Sequence, residues 1–353
     1  MSSRLLPVGK PPLIGYLHHA YPLAVLSQTS RYLPWFYSHY IQVHCPGDLA
    51  EGPDPARKRK FNFYRPPGSD TTPCQGLSVT PYPREIFLVR GQIVEFIRHA
   101  ILQGRFVQVC VDEGKIPGKA AFGKRRLLHE LFVYGFDDQS RLLHTLGFQA
   151  TGDFGSSAVS YGDLQRGFLA GARNNDYDPV GIHLLTLSRD ASWHFDLEVL
   201  LLGLEDYVYG KNTSERFRFL SPPISGVFDW QTYGCLIDLC SNLLAHPGWF
   251  DIRPMHILWE HKVCMRGRIA YLEKEGYLDP GDAFGVRYAA IENLARTARM
   301  MMLKVRVSRE RDLVRRIILV LERMAREEGP LLACLLETLR LHTRVGKGGL
   351  FGS

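Results

Sequence analysis

His129 opens the run HELFVYGFDD (129–138), whose valine, phenylalanine and tyrosine content reads as a strand. An imidazole held at the mouth of a strand has a fixed orientation and can act as a general base. That chemistry needs a nucleophile within hydrogen-bond reach and a third polar group that orients the ring. Glu130 and Asp138 are the candidate orienting carboxylates. The candidate nucleophile is a thiol. Of the seven cysteines, Cys45 lies in VHCPGD and Cys74 in TTPCQGL, both loop-like, and Cys110 lies in a valine-rich run that reads as core. Asp112 and Glu113, with Lys115 and Lys119 just beyond, form a polar cluster suited to a substrate. His18 and His19 are further candidates for substrate binding. Adjacent histidines cannot both face one ion without distortion, so no metal is expected. His256 and Glu260, four residues apart, share a helix face, which reads as a polar surface.

These side chains must be positioned by the elements around them. The alternation in RFVQVCVDE (105–113) predicts a buried strand, and a Gly- and Pro-rich loop links it to the strand that starts at His129. Asp137 and Asp138 predict an exposed turn into a third strand, RLLHTLGFQ (141–149), with Val133 buried behind it. GIHLLTLSR (181–189) predicts a fourth strand. Ile93, Val94, Ile97 and Ile101 predict a helix over 91–103 that stops at Gly104. Short helices are expected at Leu23–Leu26 and from Pro34, and one after Ser160 as its cap. Beyond residue 190 helical periodicity dominates. Ser192 is the expected cap of the first of these helices, residues 281–329 are expected to hold two more, and LLACLLETLRLH (331–342) one last. The fold class is therefore α+β. The expected domains are 1–190, with a small antiparallel sheet, and 191–353, all helical.

Length and composition narrow the function classes. The chain has 353 residues, 45% hydrophobic and 22% charged, which is globular composition. No apolar run approaches the roughly 20 residues of a membrane span. The N-terminus lacks an apolar export core, and the odd set of scattered cysteines shows no metal-finger spacing. Reduced thiols in the cytoplasm are expected. A net charge of +7 is mild and argues against nucleic acid as the partner. Arg57-Lys58-Arg59-Lys60 is one basic run. Residues 285–328 form another basic stretch, with eleven Lys/Arg against six Asp/Glu. Arg309, Arg315 and Arg316 there are expected to share a helix face. No phosphate loop, dinucleotide fingerprint or serine elbow is present, and no cofactor is expected.

From about residue 18 to 154 the sequence resembles a family of cysteine-peptidase-like proteins of nonribosomal peptide and polyketide biosynthesis. It is similar to the acyltransferase family of butirosin biosynthesis. HHAYPLAVL, LPWFYSHYIQV, FVQVCVDEGKIPG and above all HELFVYGFDD carry the resemblance. It implies a papain-like fold for the first domain. It also implies acyl or aminoacyl transfer from a carrier-protein thioester to an amine, with the carrier protein and a small-molecule amine as partners. His129 is then the base, Cys45 a replacement nucleophile, and Asp138 or Glu130 the orienting carboxylate. Active members of the family open the first helix with a cysteine, where this chain has His19 or Ala20. They carry an aspartate on the later strand, where this chain has His144-Thr145-Leu146. The alternative is a catalytically inactive binding or scaffolding partner of a synthetase. A third reading is transfer without an enzyme nucleophile, in which His129 deprotonates the amine.

Overall fold

The structure, a computed structural model, describes residues 2–46, 61–64, 74, 76–88, 92–171, 181–188, 190–220, 222–246 and 250–348. The basic run Arg57 to Lys60 lies outside the described residues. The chain forms two compact units: Met1–Tyr32 with Asp70–Trp193, and Leu33–Ser69 with His194–Ser353. The second unit resumes at His194, near the expected boundary at 190. The segment from Leu33 to Ser69 does not follow it and joins the second unit.

The first unit is α+β. Its strands are β1 (Ser3–Leu5), β4 (Leu77–Tyr82), β5 (Phe106–Asp112), β6 (Leu128–Asp137), β7 (Leu142–Phe148), β8 (Phe154–Ser160) and β9 (Ile182–Leu187). The intervening β2 (Val43–Pro46) and β3 (Asn62–Phe63) belong to the other unit. The sheet runs β4-β9-β5-β6-β7-β8, with β1 also on β6, and every pairing is antiparallel. The four expected strands are present, and β1, β4 and β8 join them. β8 reads FGSSAVS; its glycine and serines hide it, because they pack a half-exposed face (exposed at Ser156 and Ala158) rather than a core. Val133 is buried as expected, but Asp137 and Asp138 are half-buried, not exposed.

Helices α1 (Leu17–Leu26), α3 (Glu85–Leu88), α4 (Ile93–Leu102) and α5 (Tyr161–Gly171) complete this unit. Ile93, Ile97 and Ile101 of α4 are fully buried, each contributing about 1.5–3 kcal/mol. Gly104, at φ 78°, takes the left-handed conformation that ends the helix. The Ser160 hydroxyl accepts from the Asp163 amide at 3.0 Å, capping α5 as expected. Tyr21 and Phe132 stack at 5.0 Å, pinning α1 to β6.

The second unit holds α2 (Leu33–His39), β2 (Val43–Pro46), β3 (Asn62–Phe63), α6 (Leu197–Tyr209), β10 (Gly226–Phe228), α7 (Thr232–Ala245), α8 (Arg253–Lys274), α9 (Phe284–Ser308) and α10 (Arg311–Gly348). It is not all helical, since β10, β2 and β3 form a small sheet. Asp196, not Ser192, caps α6 by accepting from the Val199 amide at 2.9 Å. The expected last helix, LLACLLETLRLH, is not separate, because α10 runs through Pro330 into it. Arg309 is the turn residue between α9 and α10 at φ 58°, so it shares no helix face with Arg315 and Arg316. No helix among the described residues is long and apolar enough to cross a membrane.

Candidate functional site

The β5–β6 ladder sets the site. Register places Val111 opposite His129, and Glu113 lies two residues beyond Val111, at the diagonal position from which a long side chain reaches across. The Glu113 amide donates to the Leu127 carbonyl at 2.8 Å, which continues the ladder past the strand end. Glu113 Oε1 lies 3.0 Å from His129 Nδ1. A carboxylate accepts, so Nδ1 is the donor of this contact, and in a neutral ring Nε2 then keeps its lone pair. The Glu113 side chain is 9% exposed and that of His129 is 41% exposed. A buried carboxylate thus holds a solvent-accessible imidazole, an arrangement that can stabilise an imidazolium.

Two further groups surround this pair. Lys119 Nζ lies 3.9 Å from Glu113 Oε1 and donates to the Phe148 carbonyl at 2.7 Å. Burial lowers the Lys119 pKa, against the opposing pull of Glu113. The Tyr21 hydroxyl donates to the Glu130 carbonyl at 3.1 Å. Its pKa is raised by burial first, then by the charges of Glu130 and Glu113, so it stays a donor. Gly147 makes room for both. A Cβ there would fall 3.1 Å from Tyr21 Oη and 3.4 Å from Lys119 Nζ. Tyr21, Glu113, Lys119 and His129 therefore cluster where α1, the β5 end, the β6 start and β7 meet.

The expected site residues divide. His129 and Glu113 come together, with the Glu113 carboxylate on the ring's Nδ1. Asp112 is buried and structural: its Oδ1 accepts from the Gly114 and Leu127 amides at 2.9 and 3.0 Å. Asp138 sits past the other end of β6, bound to Arg98 at 2.6 Å, Tyr161 at 2.9 Å and Ser2 at 2.9 Å. Nine residues of strand, about 30 Å, separate it from His129, so it does not orient that ring. Glu130 pairs with Cys110 in the ladder, and strand alternation turns its side chain away from that of its neighbour His129. Cys45 is 2% exposed on β2, opposite Val227, in the second unit, whereas His129 is in the first. The expected loop is a strand. His18 and His19 lie in the first turn of α1, rings 4.4 Å apart, with His19 buried.

Tyr21 was not among the residues that the sequence pattern singled out. Its only signal is an aromatic residue near the start of a helix rich in apolar side chains. On α8 the expected polar surface is also corrected. His256 Nε2 meets Glu260 Oε1 at 3.1 Å, but Glu260, His261, Lys262 and Arg268 are all buried. Among the described residues no group of three His, Cys, Asp or Glu side chains converges as metal ligands would. A scan against protein-family models finds no match for the chain, and a search of curated proteins finds none either.

Proposed function

We propose that this protein transfers an acyl or aminoacyl group from a carrier-protein thioester to a small-molecule amine in specialised-metabolite biosynthesis, with a papain-like first unit. His129 is the base and no enzyme nucleophile takes part. The observation that carries this reading is the His129–Glu113 contact at 3.0 Å. The amine nitrogen attacks the thioester carbonyl carbon, the C–N bond forms and the C–S bond breaks. The amine proton passes to Nε2 and then to the departing thiolate. The absence of a thiol from the opening turn of α1 and the burial of Cys45 favour direct attack over an acyl-enzyme. Exposed Arg306, Arg309, Arg311, Arg315 and Arg316 around the α9–α10 turn suit the acidic helices of a carrier protein. The seven cysteines, none of them in a disulfide, fit a reducing, cytoplasmic setting.

The test uses an acetyl-loaded carrier protein and a primary amine, with amide formation followed by mass spectrometry. His129→Ala is expected to lose about 10²–10⁴-fold in rate, and Glu113→Gln a smaller part of that, with no acylated enzyme in the intact mass spectrum. A His129→Ala variant as active as the parent sinks the base assignment. The absent thiol also favours a second reading, a non-catalytic partner of a synthetase. Carrier binding without turnover in the parent protein would select it.

A further inference from the structure

Between β5 and β6 the chain folds a loop whose cations converge on one cavity of about 540 Å³. Its lining includes Lys115, Lys124, Arg125 and Arg126, with Asp112 as the one carboxylate. Asp112 is committed to the Gly114 and Leu127 amides. Arg126 is partly engaged, with Nη2 at 3.5 Å from the Gly171 carbonyl. Lys115, Lys124 and Arg125 are exposed.

Backbone hydrogen bonds tie together the loop from which these charges project. The Gly123 amide donates to the Gly114 carbonyl at 3.1 Å, and those of Lys124 and Arg125 to the Ala121 carbonyl at 3.0 and 3.2 Å. A Cβ on Gly114 would fall 2.4 Å from the Arg125 carbonyl oxygen, so only glycine lets the two ends of the loop meet. Ile116, fully buried, anchors the loop's middle. Four cations gathered beside one carboxylate repel one another, and a bound anion relieves that repulsion. Guanidinium forks match the oxygens of a phosphate group in geometry as well as charge. The volume lies within the usual range for a small-molecule site, about 300–1,000 Å³, so the phosphate can carry an organic substituent.

We propose that this cavity is a binding site for a phosphate group borne by an organic molecule. The proposal stands independently of the acyl-transfer reading, because it concerns binding alone. The phosphate has two sources: the phosphodiester-linked arm of a carrier protein, or a free phosphorylated metabolite. Titration calorimetry of the full chain distinguishes them. The probes are inorganic phosphate, pantetheine 4′-phosphate, pantetheine and glucose 6-phosphate, with sodium sulfate as the control anion. All three phosphates are expected to bind, with organic phosphate tighter than inorganic phosphate, and pantetheine not at all. Pantetheine 4′-phosphate binding about tenfold tighter than glucose 6-phosphate assigns the carrier arm; the reverse order assigns a metabolite. Lys124→Ala with Arg125→Ala is expected to weaken phosphate binding at least about tenfold. These side chains are exposed, so the melting temperature of the double variant should match the parent's and show it folded. Three results overturn the site: no phosphate binding, binding unchanged in the double variant, or sulfate and pantetheine binding as well as the phosphates.

Discussion

At the residue scale, the candidate site depends on which carboxylate reaches His129. Local sequence favours Glu130 and Asp138, which flank or end the same strand. Neither does the work, because alternation turns one away and strand length removes the other. Glu113 is legible only once register is known, since Val111 opposite His129 is what brings it near. Cys45 misleads for a related reason. VHCPGD reads as a loop because of its proline and glycine, yet pairing with β10 and β3 makes Val43–Pro46 a strand. The thiols differ enough to check this. Cys334 is exposed, whereas Cys45, Cys110, Cys240 and Cys264 are buried. Burial pushes the Cys240 pKa to about 12 and, against a small opposing effect of the Trp193 indole, that of Cys74 to about 11. Since the thiolate is the reactive form, iodoacetamide near neutral pH is expected to alkylate Cys334 first. Peptide mapping over time reads the order. Cys45 labelling ahead of Cys334 would restore it as a nucleophile.

At the element scale, periodicity served well where one face meets the core, as in α4, and failed where propensity and packing disagree. Pro330 costs about 3 kcal/mol inside a helix. The buried stripe Leu321, Met324, Glu328, Leu331, Leu335 and Leu339 continues through it at helical spacing, and packing outweighs the local penalty. Glu328 is the polar member of that stripe. Lys262 Nζ lies 2.8 Å from both its oxygens, and the hydroxyls of Tyr207, Tyr233 and Tyr288 donate to it. The nearby carboxylate and burial together raise the pKa of all three tyrosines, burial most. No sequence pattern reports such a network, because its members come from α6, α7, α8, α9 and α10. Removing one partner strands a buried charge, which costs about 3–5 kcal/mol. Lys262→Met is therefore expected to lower the unfolding free energy by about that amount, read as a lower urea midpoint at unchanged slope. A change below about 1 kcal/mol would mean the carboxylate is neutral and the pair carries no charge.

At the scale of the whole molecule, two properties follow from how the second unit is assembled. Its histidines set an acid limit. The pKa of His261 is lowered by burial and then by the Lys262 charge, and burial also lowers those of His39 and His44. The unfolded chain takes up these protons below about pH 6.5 while the folded chain resists. Stability is thus full above that pH and declines as pH falls below it. Thermal melts at pH 7.5 and 5.5 should show a lower midpoint at 5.5; equal midpoints would refute the neutral burial of these rings.

The second property is that the helical half is not an independent piece, although its sequence reads as one. Residues 33–69 supply α2, β2 and β3 to it. The fully buried Arg268 donates Nε and Nη2 to the Tyr37 and Tyr40 carbonyls, each at 2.6 Å, and burial lowers its pKa to about 10. His261 Nε2 donates to the Ile41 carbonyl at 2.6 Å, and Asp229 accepts from the Val43 amide at 2.9 Å. Phe36, Tyr40, Ile41, Val43, Phe61 and Phe63 are buried in the same unit. Their burial is worth on the order of 10 kcal/mol, comparable to the whole stability of a domain. Cutting at residue 190 removes that burial and strands a guanidinium in the interior. The fragment 191–353 is therefore expected to melt without a cooperative transition, and fusing residues 33–69 to its N-terminus through a flexible linker is expected to restore one. Circular dichroism at the helical band follows both. A cooperative melt from 191–353 alone would show that the helices close their own core, and that the N-terminal segment only decorates it.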